Sequence, residues 1–143
     1  MAGLLAVLLT LPSLVMGIAI GRNAHTGLGQ ALRLSIALGL VLTFFATVIV
    51  AGYLSSSGGH FVGQSTRQLS LMGWSRDGGD LRVAHFLATH ALHALPLAGL
   101  ATLWMQPRYA VAAVIAAATG YAALIAGTFQ QALNGLPFLP WLG

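Results

Sequence analysis

Cysteine and lysine are both missing from this chain of 143 residues, and acidic residues number two, Asp77 and Asp80. The lack of cysteine excludes disulfides, thiolate metal sites and a cysteine nucleophile, and leaves the redox compartment unreadable from this residue. Two aspartates are too little material for paired-carboxylate catalysis. Positive charge rests on six arginines set singly near the ends of apolar runs, with no basic cluster, which argues against a nucleic-acid partner and for a topology signal. HExxH, GxSxG and Walker patterns are absent. The histidines are also too few and too scattered for the clustered boxes of the membrane hydroxylases and desaturases.

What the chain has in abundance is apolar surface. With 57% hydrophobic and only 6% charged residues it cannot cover a water-soluble globule of its size, so it reads as an integral membrane protein. A span needs about 20 apolar residues. Such runs occur at Ala2 to Ile20, Leu34 to Leu54, Leu81 to Trp104 and Tyr109 to Phe129. The expectation is a single all-α domain over residues 1–143: a four-helix integral membrane bundle with a long loop between the second and third helices. The first run is read as a span rather than a secretory signal, because no cation precedes it in the sequence and no small-x-small cleavage site follows before Arg22. Arg22, Arg33 and Arg108 fall on one side and Arg67, Arg76 and Arg82 on the other. The first helix, with its positive charge on its carboxyl side, tips the orientation towards both termini outside.

Gly17 and Gly21 in the first span, and Ala112, Ala116 and Gly120 in the fourth, are small residues at four-residue spacing, suited to close helix contact within the bundle or with a second copy. In the second span Ser35, Thr43 and Thr47 can all bond back to their own helix and offer no chemistry. The loop Ser55 to Asp80 is half apolar in its middle, which suits the membrane surface or the helix ends. The tail, with Pro137, Pro140 and Trp141, is too short to cross and reads as interfacial.

The third span carries the candidate chemistry. At about 100° per residue, Arg82, His85, Thr89, His93 and Pro96 share one face, with His90 at its edge. With a rise of about 1.5 Å per residue, the line from Arg82 to His93 descends roughly 16 Å, halfway into the hydrocarbon. Ionisable groups in a span usually face the bundle interior and mark a functional site. Three readings compete: imidazoles that only lock the bundle, imidazoles that ligate, and a stepwise proton or solute path. For ligation the cofactor-binding candidates are Asp80, Arg82, His85, His90 and His93, and the metal candidates are His60, His85 and His90. The cofactor itself is open between a metal ion, haem or another tetrapyrrole, and a polar lipid or quinone headgroup. Asp80 also has the position of a helix N-cap.

The stretch Gly73-Trp74-Ser75-Arg76-Asp77-Gly78-Gly79-Asp80-Leu81-Arg82-Val83-Ala84-His85-Phe86, continuing through His90, Ala91, Leu92, Leu95 and Pro96, resembles a segment of small, uncharacterised bacterial multispan inner-membrane proteins. Where those proteins commonly have glutamine, this chain has His93, so the resemblance singles out Asp80, Arg82, His85 and His90. It implies a multi-pass bacterial inner-membrane location and brings no assigned reaction. The resulting expectation is a binding or accessory component among membrane lipids, as a homo-oligomer or in a larger membrane complex. A small proton-coupled transporter component and a purely structural subunit are the alternatives, and an enzyme ranks behind both.

Overall fold

The apolar runs fold as four helices in the computed structural model, which describes residues 2–139. In chain order these are α1 (Ala2–Arg22), α2 (Gln30–Ser56), α3 (Leu81–Ala101) and α4 (Pro107–Leu133), with two short strands, β1 (Phe61–Val62) and β2 (Gly79–Asp80), in the long loop. Helices α2, α3 and α4 are long and apolar enough to cross a membrane; in α1 the stretch Val7–Arg22 is apolar but shorter. Helix ends overrun the apolar limits. Helix α2 starts at Gln30 rather than Leu34, because Gln, Ala, Leu and Arg are good helix formers that continue the backbone bonding into the polar zone. Helix α3 stops at Ala101, short of Trp104, where Thr102 turns its hydroxyl onto the Gly99 carbonyl at 2.7 Å. Pro107 then opens α4 at a position where its missing N–H costs nothing.

Helix α2 is central and packs against α1, α3 and α4, while α3 also packs against α4. Small residues set the spacing. A methyl placed on Gly17 would lie 2.9 Å from Val41 Cγ2 and 3.0 Å from the Ala37 carbonyl oxygen, and one on Gly39 would lie 2.9 Å from the Ala91 carbonyl oxygen. The α1–α2 contact thus uses the glycine pair read from the sequence. Ala46 and Val50 of α2, Ala84 and Ala88 of α3 and Ile125 of α4 form the core, with Leu42, Leu87, Tyr121 and Phe129 against it. The small-residue stripe of α4 behaves otherwise: Ala112, Ala116 and Gly120 are all exposed, so it faces away from this bundle.

The long loop folds over the helix ends. Its strands pair antiparallel, Phe61 with Asp80 and Val62 with Gly79, and beyond them a single antiparallel bridge sets Gln68 opposite Ser75. The apolar tip of that second turn leaves Leu71 93% exposed, a side chain suited to an apolar phase beside the helix ends. Glycine is needed where this loop meets α4: a methyl on Gly79 would fall 2.0 Å from the Ala132 carbonyl oxygen. Of the tail read as interfacial, Pro140 and Trp141 lie outside the described residues.

Candidate functional site

Asp80 is the N-cap of α3, as its position in the sequence implies. Its backbone is extended, and a carboxylate oxygen accepts the Arg82 N–H at 3.0 Å. The same carboxylate does more than cap. Arg82 folds back on it with Nε at 2.9 Å and Nη2 at 2.7 Å, and Nη2 also donates to the Gly73 carbonyl at 2.5 Å. The Ser75 N–H donates to Asp80 at 3.0 Å from the other side. Burial works against the charge of Asp80, yet the hydrogen bonds from Arg82 and Ser75 outweigh it and hold the carboxyl below its ordinary range. The Asp80 side chain is 0% exposed. These two residues are therefore engaged with each other and with the loop, tying Gly73 and Ser75 to the head of α3.

A second knot stiffens the loop. Asp77 accepts the hydroxyl and N–H of Thr66, the N–H of Arg67 at 3.2 Å and the Ser75 hydroxyl at 3.3 Å. The Thr66 hydroxyl is the largest influence, and together these donors lower the Asp77 carboxyl from 3.8 to about 2. Because the folded value is depressed, the contribution of Asp77 is complete above pH ~4 and is lost as pH falls through about 2. Emission from Trp74, next to Ser75, should shift over that range in a protein whose other tryptophans are phenylalanine. Asp77→Asn should show the shifted emission already at neutral pH. An unchanging signal down to pH ~2 would remove Asp77 as a lock.

The imidazoles divide into two groups. His85 is half-buried and its Nδ1 is sealed inside without a protein partner, whereas His90 and His93 are exposed. The expectation of one stripe facing the bundle interior is corrected here. The buried face of α3 is instead Leu81, Ala84, Ala88, Ala91, Leu95 and Gly99, because mostly small side chains let α3 approach α2 and α4 closely, and the rings of His90 and His93 are left outside. His60 sits beside the head of α3, its carbonyl accepting the Leu81 N–H at 2.9 Å and its ring against Phe61. His25 is exposed in the opposite loop. Among the described residues no three His, Asp or Glu side chains converge as a metal set, so His60, His85 and His90 do not assemble one within this chain.

What does converge is an aromatic wall that the sequence reading missed. Phe86 stacks on His90 with ring centres 3.9 Å apart, Trp74 meets Phe86 edge-on at 5.5 Å, and Phe138 meets Trp74 at 5.6 Å. The Phe86–His90 spacing of four residues was the available signal, since such pairs are neighbours on a helix. The His90 and His93 ring centres are 5.7 Å apart. His90 Nδ1 lies 2.8 Å from the Phe86 carbonyl oxygen. A carbonyl only accepts, so Nδ1 carries the proton and the lone pair belongs to Nε2. That Nε2 is available for coordination on an exposed ring, roughly 14 Å along the helix from Leu81.

No protein-family model matches this chain, and neither does any curated protein or solved structure.

Proposed function

We propose that this chain is a bacterial inner-membrane binding component in which the outward aromatic and imidazole face of α3 holds a planar ring ligand, a tetrapyrrole or a quinone headgroup. The observation that carries the reading is the His90 imidazole, exposed near the middle of a span-length helix, with its tautomer set by the Phe86 carbonyl. A hydrogen bond from the second ring nitrogen of this kind orients a ligating histidine and raises its basicity. Phe86 and Trp74 supply flat apolar surface beside it. A ring that brings its own donors is favoured over a bare metal ion, since zinc takes about four ligands and among the described residues no third ligand joins the His90 and His93 rings. Asp80 and Arg82 act as positioning residues, holding Trp74 over the site through the Gly73 and Ser75 backbone.

An imidazole left in acyl chains is costly, so bound ligand, a second copy or a larger complex is expected to cover it. The exposed stripe Ala112, Ala116 and Gly120 is a surface suited to such assembly. Titration with haemin and with a quinone analogue in mild detergent, followed by absorption spectra, tests the reading. His90→Ala should weaken binding by ~10–100-fold or more, and Phe86→Ala should shift the spectrum of what remains. If wild-type protein binds neither probe above the level of His90→Ala, the proposal fails.

A further inference from the structure

The seam between α2 and α3 carries an inference independent of the outward face. Thr43 Oγ1, Thr47 Oγ1 and His85 Nδ1 are sealed from the surface and meet no protein partner; the one other such side-chain atom among the described residues, Ser65 Oγ, is in the loop. Both threonines are only 3% exposed. A helical threonine has the carbonyl one turn back within reach. Ser35, Thr89, Thr102 and Thr128 all take that bond. Thr43 and Thr47 have given it up, contrary to the expectation from sequence.

Close contacts fix how α2 and α3 face each other. Gly99 lies against Ser35, and Gly39 against Ala91, Leu92 and Pro96, so α2 and α3 run antiparallel in a known register. Each turn along α2 from Gly39 steps one turn back along α3, which puts Thr43 level with Ala88 and Leu92, and Thr47 level with Ala84 and His85. At about 100° per residue, His85, Leu92 and Pro96 share the α3 face that meets Gly39, while Thr43 and Thr47 stand on one flank of Gly39. Pro96 has no N–H, so the Leu92 carbonyl on this face loses its helical donor. Beyond it the seam is closed, since a methyl on Gly99 would fall 2.0 Å from Ser35 Oγ.

An occupant that satisfies two hydroxyls, one ring nitrogen and a carbonyl must be small and must both donate and accept. Water is the species that meets those terms. We propose that Thr43, Thr47 and His85 hold a file of bound water in the α2–α3 seam, closed at Gly39 and Pro96 and entered past His85 from the loop end. Only Nδ1 of His85 is sealed without a partner, so the ring stands at the entrance with one nitrogen on the water side. Of the other titratable groups nearby, α2 has none between Arg33 and Tyr53, the Tyr121 hydroxyl of α4 donates to the Leu87 carbonyl at 3.0 Å, Asp80 and Arg82 hold each other, and His60 lies in the loop with its ring against Phe61. The imidazole is thus the group through which a proton would pass between the surface and these waters.

The sign of a stability change tests this. Valine matches threonine in shape, so in a dry seam Thr43→Val and Thr47→Val remove an unsatisfied hydroxyl and raise the thermal midpoint, whereas in a hydrated one they lower it. The expected result is a fall of about a few degrees for each, with the double variant falling by less than the sum because the two share waters. A rise in both overturns the proposal. Water-edited magnetic resonance of histidine-labelled wild-type protein in lipid nanodiscs gives the second measurement. Water contact at the Nδ1 side of the His85 ring should be present and should vanish in the double variant; no such contact in the wild type, or contact at Nδ1 that survives both substitutions, also overturns it.

Discussion

Asp80→Ala is expected to lower stability by about 3 kcal/mol and to release the loop from the head of α3. Removing one member of a buried ion pair costs ~3–5 kcal/mol because the other charge loses its compensation. The lower end applies here, since the carboxylate is 0% exposed but the Arg82 side chain is 35% exposed and can recover some solvation. The substitution also removes the helix cap and the acceptor for Ser75, so the change reaches Trp74 through the backbone on either side of it. Asp80→Asn keeps a capping oxygen and should cost less. Arg82→Lys should behave more like a deletion than a conservative change, because an ammonium cannot reach two carboxylate oxygens and the Gly73 carbonyl from one planar fork. Unfolding in mild detergent, read by helical circular dichroism, checks the series. An Asp80→Ala midpoint equal to that of wild type would mean that the loop is held by its strands alone.

Gly79→Ala should be at least as damaging, at about 3 kcal/mol or more. The added carbon would fall 2.0 Å from the carbonyl oxygen and 2.9 Å from the carbonyl carbon of Ala132, both backbone atoms in the last turn of α4. Neither can rotate aside. Relief requires the loop to lift off α4, which would break the pairing of Val62 with Gly79 and draw Asp80 from its place. Gly78→Ala meets a similar barrier at the Gln64 carbonyl oxygen, 2.1 Å away. Gly120→Ala is the control: it lies in α4 with nothing within 4 Å of the added methyl, and helix propensity favours it by roughly 1 kcal/mol. Proteolysis within the loop reads the effect directly. Gly79→Ala should be cut rapidly and Gly120→Ala no faster than wild type. Equal cutting of all three would show that the loop does not depend on its contact with α4.

Much of the fold was legible because the signals are local. Runs of apolar residues mark helices whatever they pack against, and Asp80 before Leu81 marks a helix start because a carboxylate there meets backbone N–H groups that lack helical partners. The Gly17 and Gly21 pair was legible for the same reason. The ends of the helices were less so, since Gln30 and Arg33 continue α2 on helix propensity after hydropathy has run out.

The candidate site was legible in membership more than in arrangement. His90 stood out as an ionisable group in a span, and Asp80 and Arg82 as its polar neighbours. That Arg82 would turn back onto Asp80 and the Gly73 carbonyl depends on the loop arriving from one side. Ser75 shows the same limit. It is 0% exposed and bridges both aspartates, although a serine beside a tryptophan in a glycine-rich loop carries no sign of burial.

Composition and order alone determined that the chain forms four helices, that its long helices are apolar enough to cross a membrane and where α3 begins, because hydropathy and capping act within one segment. Tertiary structure alone decided which side of α3 is inside, that the stripe Ala112, Ala116 and Gly120 of α4 looks outward, and that Thr43 and Thr47 forgo their own helix. The physical reason is that apolar residues surround these helices on nearly every side, so periodicity does not single out a packing face. Close approach does so instead, and it selects alanine and glycine over imidazole wherever two backbones must nearly touch.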